Sequence, residues 1–216
     1  MPMMFENRKA YAIAEKKAAG DLAGLDPEQV ASERNVSFDS TAGALTVPFL
    51  GEELDVSFPA GQVTSRVGRR LQGAVVVLVL HYLVYRGEPL RDSGWLAYRD
   101  MPGARHFASA FEQMAEERLA VHFGSNPDRI EEPVRGLWGK PAETGERSFQ
   151  IPVLPRLSVL VVLWPPSEVE GGSARILFPP NAPYYLHTED LAALGVVLAE
   201  RLVALDAGFE SSGGVV

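Results

Sequence analysis

The sequence predicts an α+β fold: one domain in which an antiparallel or mixed sheet packs against helices, with an N-terminal β-hairpin and a long buried central helix. Three observations carry this. Leu45, Val47 and Phe49 alternate with less apolar residues, as do Leu54, Val56 and Phe58, and such period-two patterns mark half-buried strands. Leu157 to Trp164 is apolar on both faces, as a doubly covered central strand requires. Leu191, Leu194, Leu198, Leu202 and Leu205 recur at helical spacing and make a buried stripe.

In chain order, Phe5 to Ala19 reads as a helix with Tyr11, Ala14 and Ala18 on one face, broken by Gly20 and Gly24. Asp26-Pro27-Glu28 starts a short second helix, with Asp26 as N-cap and Pro27 at the first helical position. The hairpin follows, turning at Leu50 to Glu53, with Pro48 placing its first strand at a sheet edge. The central helix spans Leu71 to Arg86, capped by Thr64 or Ser65 and ending near Gly87. Its uninterrupted apolar core, Ala74 to Leu80, is far short of the ~20 residues a bilayer requires, so it reads as a core helix.

Trp95 to Tyr98 is short and extended, and Pro102-Gly103 turns the chain into an amphipathic helix carrying Phe107, Phe111, Met114 and Val121. Asn126-Pro127-Asp128 begins another helical piece ending near Trp138, and Lys140 to Arg147 is a polar loop. Ser148 to Val153, Arg156 to Leu163 and Ala174 to Phe178 are strands, with a Gly-rich turn at Glu168 to Ser173. Thr188 caps the last helix, with Glu189 and Asp190 in its first turn. Residues 1–210 read as one domain with a core from about 11 to 205, and 211–216 as a disordered Gly/Ser tail.

Composition bounds the function. With 46% hydrophobic and 22% charged residues among 216, the chain is an ordinary globular one. A net charge of −8 repels a phosphate backbone, so nucleic acid is not an expected partner. The absence of cysteine removes disulfides, thiolate metal sites and cysteine nucleophiles, and fits a cytoplasmic location. The N-terminus carries no apolar run before a small-residue cleavage site, so no signal peptide or membrane association is expected. Phosphate-loop, dinucleotide, Gly-x-Ser-x-Gly and His-Glu-x-x-His patterns are absent. The four histidines stand 25, 16 and 65 residues apart, which gives no metal-ligand spacing, and no cofactor is evident.

Chemistry concentrates between Leu80 and Phe111. His81, late in the central helix, is either a ligand or base in a pocket or a core-edge histidine bonded to the backbone. His106 opens a helix beside Arg99, Asp100 and Arg105, where free N–H groups would suit an anion, or is simply solvated. His81, His106 and Asp100 are the acid/base candidates. Tyr82, Trp95, Tyr98, Arg99, His106, Phe107, Phe111 and Arg156 are the ligand-binding candidates. Arg99/Asp100 also reads as a surface pair, and Arg156 as the ion-pair partner of the Glu116/Glu117 helix. Trp164-Pro165-Pro166 and Pro179 to Tyr185 are proline-aromatic loops, suited to a cleft wall, a protein interface or a core seal.

The order of Leu80-His81-Tyr82-Leu83, Trp95 to Asp100 with Pro102-Gly103, Phe107…Phe111…Phe123-Gly124, Leu154-Pro155-Arg156-Leu157, Leu163-Trp164, Ile176-Leu177-Phe178, and Leu186 leading into Leu191 to Gly195 resembles a bacterial and archaeal family. That family is domain of unknown function 3786 (DUF3786), found mainly in anaerobes. The resemblance spans Tyr11 to Leu205. It implies no defined activity; some members are linked to iron–sulfur segments and to corrinoid or one-carbon proteins. This chain departs from them in having no cysteine, and in having Pro179-Pro180-Asn181 where relatives more often carry an acidic residue. The leading expectation is a non-enzymatic accessory module that binds a small molecule or a protein partner between the Leu71–Arg86 helix and the Trp95–Phe111 segment. An enzyme built on His81, Arg99, Asp100 and His106, or a structural assembly subunit, are the alternatives.

Overall fold

The computed structural model describes residues 8–91, 93–144, 147–167 and 171–208. The expected tail at 211–216 and most of the turn before Ser173 lie outside these residues. The fold is α+β, and the described residues form two antiparallel sheets: four strands within 37–65, neighbours in chain order, and five strands in the order β5 (Leu96–Ala97), β9 (Ser173–Phe178), β8 (Leu157–Trp164), β7 (Arg147–Leu154), β6 (Lys140–Pro141).

Helix α1 (Arg8–Ala23) runs through Gly20 instead of stopping there. Leu22 is fully buried beyond it. Burying a leucine is worth about 2 kcal/mol, against about 1 kcal/mol lost to a helical glycine, so packing wins. Helix α2 (Pro27–Arg34) begins with Asp26 accepting hydrogen bonds from the N–H groups of Glu28 and Gln29, at 2.9 and 3.1 Å.

Strands β1 (Ser37–Asp39), β2 (Ala44–Phe49), β3 (Glu52–Ser57) and β4 (Val63–Ser65) form the first sheet. Leu45, Val47, Leu54 and Val56 all point into the core. β2 lies inside the sheet, not at its edge, but β1 pairs only with Ala44 to Thr46 and never reaches Pro48. Proline is therefore accommodated where no second neighbour asks for its N–H. Leu50 and Gly51 both take positive φ, 44° and 82°, the turn that matches strand twist. A Cβ on Gly51 would stand 2.3 Å from the Gly136 carbonyl oxygen, so only glycine fits there.

Thr64 and Ser65 belong to β4 and do not cap the central helix. That helix, α3 (Gly73–Val84), starts after Gln72, which makes no side-chain cap bond. It is apolar almost all round and buried by α1 and the last helix, Thr188–Asp206, as such a pattern requires. The extended segment is shorter than Trp95 to Tyr98: only Leu96–Ala97 (β5) pairs, with the edge of β9. Tyr98–Asp100 then forms a 3-10 turn, and a second such turn, Ala104–His106, follows Gly103.

The next helix is composite. Ala108–Phe111 (α4) passes through a five-residue π segment, Glu112–Glu116, into Glu117–Phe123 (α5). Helix α6 (Glu131–Gly136) leads to β6 (Lys140–Pro141), which occupies the start of the expected loop. Strands β7 (Arg147–Leu154), β8 (Leu157–Trp164) and β9 (Ser173–Phe178) follow. Leu157 to Trp164 is a central strand between β7 and β9, buried along most of its length.

The short helix α7 (Ala182–Tyr185) precedes α8 (Thr188–Asp206). His187, not Thr188, holds the N-cap position; the Thr188 hydroxyl instead donates to the Pro102 carbonyl oxygen at 2.7 Å. The buried side chains form one contiguous cluster. Among the described residues no helix is long and apolar enough to cross a membrane.

Candidate functional site

The turn after β5 sends Tyr98 inward and Arg99 outward. The Tyr98 ring stacks on Phe111 at 4.3 Å and meets Phe178 edge-on at 6.2 Å, while its hydroxyl donates to the Thr188 carbonyl oxygen at 3.1 Å. Burial, with the Glu189 charge adding to it, pushes the phenol's pKa well up, so Tyr98 remains a neutral donor. Phe111 fits because α8 carries Gly195 against it; a Cβ there would stand 2.3 Å from the ring.

Above these rings lies a cleft of about 160 Å³. Arg99, Ser109, Glu112, Glu116 and Arg175 supply its polar wall. Glu112 and Glu116 are one helical turn apart and share the face that meets β9. The Glu116 carboxylate is buried and accepts the Ile176 N–H at 3.0 Å and Arg175 Nη1 at 2.7 Å. Burial pushes this carboxyl's pKa up, opposed only in part by the Ile176 N–H and the Arg175 charge. Glu112 lies 3.4 Å from the same Arg175 nitrogen and is half solvated. Arg99 is exposed and makes no ion pair among the described residues. A desolvated carboxyl in a π segment beside a cleft is the kind of arrangement that functional sites use.

A second polar cluster joins α3 to α8. His81 Nδ1 lies 2.8 Å from Asp190 Oδ2, both largely shielded from solvent. Asp190 stands in the first turn of α8, where the helix dipole favours a carboxylate. The His187 ring is 5.8 Å from His81 and 3.7 Å from Tyr85. The carboxylate facing His81 is thus Asp190, while Asp100 is exposed in its 3-10 turn. His106 is also exposed; it sits in a three-residue turn, and Phe107 stands between it and the first residue of the composite helix, Ala108. Among the described residues no three histidine or acidic groups are placed to hold a metal ion.

The remaining candidates separate. Tyr82 is fully buried away from Tyr98: its hydroxyl donates to the Arg34 carbonyl oxygen at 2.7 Å and accepts the Arg156 N–H at 3.1 Å. It ties the β7–β8 turn to α2. The exposed Arg156 side chain reaches the Ser32 carbonyl oxygen at 3.4 Å and not the Glu116/Glu117 helix, whose arginine partner is Arg175. Trp95 and Phe107 are half-buried and stand outside the wall of the cleft. The structure therefore gathers Tyr98, Arg99 and Phe111, and leaves Tyr82, Trp95, His106, Phe107 and Arg156 elsewhere. Trp164 is 37% exposed, with Pro180 and Tyr184 half-buried.

Arg175 escaped the sequence reading, which paired the Glu116/Glu117 helix with Arg156 and gave Asp190 only a place in the first turn of the last helix. Arg175 alternates with the buried Ala174 and Ile176, and Glu112 and Glu116 share a helical face. Both are visible patterns, but neither names its partner.

The family model described as domain of unknown function (DUF3786) matches residues 26–201. No curated protein and no solved structure matches the chain. With most of its length covered by that model, the chain belongs to the DUF3786 family.

Proposed function

We propose that this protein is a non-catalytic binding module, acting in the cytoplasm, whose cleft holds a small zwitterion of the α-amino-acid type. The observation that carries this reading is the pair of opposite charges, Arg99 and Glu112, on one cleft wall without an ion pair between them among the described residues. A ligand carboxylate on Arg99 and an ammonium on Glu112 would bridge that gap. Phe111 and Tyr98 would receive a short apolar side chain. The volume of ≈ 160 Å³ corresponds to about five waters at ~30 Å³ each, which suits a small amino acid better than a nucleotide or a large cofactor. Net charge of −8 argues against nucleic acid as the occupant.

Calorimetric titration with alanine, propionate and ethylamine tests this. Each analogue lacking one charge forfeits a charge-assisted contact of about 1.5–3 kcal/mol, so it binds roughly tenfold to a hundredfold more weakly than alanine. Equal affinity for all three, or none for alanine and other small amino acids, refutes the proposal.

A second reading rests on His81–Asp190. A carboxylate on Nδ1 orients an imidazole so that Nε2 can take a proton, the base arrangement of many hydrolases. An activity lost in both His81→Gln and Asp190→Asn, but kept in Arg99→Gln, would favour this enzyme reading over the module.

A further inference from the structure

Arg34 closes α2 and is wholly buried, at 0% exposure. Its Nη2 donates to the Tyr85 carbonyl oxygen, while Nε and Nη1 find no hydrogen-bond acceptor. The rings of Tyr82, Tyr184 and Tyr185 surround the guanidinium, with centroids 5.5, 5.4 and 5.2 Å from Cζ. No carboxylate among the described residues pairs with it. Glu33, its chain neighbour, pairs with Arg86 at 2.6 Å.

A buried cation with idle donors is costly until an opposite charge completes it. Ring faces offset part of that cost, but they give Nε and Nη1 no in-plane acceptor. Arg86 worsens the balance, since burial and this like charge together pull the Arg34 pKa down.

Tyr184 connects this buried charge to the surface. It is half-buried, packs its ring beside Arg34, and also lines a groove of about 390 Å³. Leu25, Val30 and Val84 give the groove an apolar side, and Arg86 stands at it. That volume lies within the ~300–1,000 Å³ typical of ligand sites. Arg34 does not itself line the groove, so the Tyr184 ring, which borders both, would have to move for the two to meet.

We infer that this groove is a second ligand site, taking a monocarboxylate with a short apolar tail. The carboxylate meets Arg34 as the Tyr184 ring swings aside, and the tail lies on Leu25, Val30 and Val84. One buried positive charge calls for one negative charge. Asp26 and Glu33, also at the groove, repel a multiply charged phosphate. This site stands apart from the cleft at Arg99 and does not depend on it.

The test is a titration of the full chain with hexanoate, read by the Arg34 Nε–H resonance and by thermal unfolding. Acetate, 1-hexanol and inorganic phosphate serve as matched probes. Hexanoate is expected to move the Arg34 resonance saturably and raise Tm, with each matched probe at least about tenfold weaker. Arg34→Met should abolish the response. Tyr184→Ala, which leaves Arg34 in place, should keep it and tighten binding by removing the ring that must move. If Arg34→Met does not fold, wild type and Tyr184→Ala decide alone. An unmoved Arg34 resonance in both proteins overturns the inference. So does phosphate or hexanol matching hexanoate, or a response retained in Arg34→Met.

Discussion

Replacing Glu116 by alanine removes the acceptor of two hydrogen bonds at once. β5 pairs only with Leu177 and Phe178, so among the described residues no strand lies beside the outer edge of β9 at Ile176. The Glu116 carboxylate takes that N–H instead, at 3.0 Å. Without it a buried donor is stranded, at a cost of about 1–3 kcal/mol. The lost bond to Arg175 adds less, about 0.5–1 kcal/mol, because Arg175 is partly solvated and keeps Glu112 at 3.4 Å. Alanine's better helix propensity returns a few tenths. The net loss is about 2–3 kcal/mol, or roughly 4–12 °C in Tm for a chain of this size.

Glu116→Gln keeps one amide oxygen for Ile176 but turns an NH2 toward Arg175, so it loses the charge and the Arg175 bond and should cost about 1 kcal/mol. The two variants also differ from wild type in pH dependence. The folded state holds the Glu116 proton to a higher pH than the unfolded chain, whose carboxyl titrates near 4.5. Between those two values the unfolded state binds fewer protons, so this group's contribution falls as pH rises, and neither variant shows that slope. Urea unfolding across this range measures both effects. An alanine variant within about 0.5 kcal/mol of wild type, or a glutamine variant less stable than alanine, would refute the assignment of Glu116 as the edge acceptor of β9.

Three further perturbations are informative. Gly195→Ala gains about 1 kcal/mol of helix propensity but drives a Cβ to 2.3 Å from Phe111, an overpacking of about 1–3 kcal/mol; net destabilisation and a shifted Tyr98 ring signal are expected. Tyr82→Phe leaves the Arg34 carbonyl oxygen and the Arg156 N–H without the hydroxyl that joins them, and urea unfolding should register a loss of about 1–3 kcal/mol. At His187 the loss of water against Tyr85, with the nearby His81, lowers the imidazole pKa below 6.5 despite the opposing pull of Asp190. Its contribution to stability is present above 6.5 and lost as pH falls through the folded value; His187→Gln should flatten that part of the stability–pH curve.

Local pattern carried much of the fold. The alternations from Leu45 to Phe49 and at Leu54 and Val56 place those residues in the core, and the two-sided apolar run at Leu157 places β8 at the sheet centre. Caps were harder to read, because a hydroxyl that could accept a helix N–H can equally donate to a distant carbonyl. Thr64 and Ser65 were drawn into a strand, and Thr188 reached across to Pro102. Gly20 was outweighed by the burial of Leu22, in a helix that packs against α3. The site was legible only in part: Tyr98, Arg99 and Phe111 are close in sequence and gather in space. Glu116 meets Arg175 from 59 residues away and His81 meets Asp190 from 109, and periodicity fixes a face without naming what will face it.

The most direct test of the binding-module account is a ¹H–¹⁵N NMR titration of the full chain with alanine, serine and valine. The account predicts saturable shifts centred on Arg99, Ser109 and Glu112, abolished by Arg99→Gln and by Glu112→Gln while the spectrum elsewhere stays folded. Shifts that persist in both variants, or no saturable shift with any of the three, would contradict it.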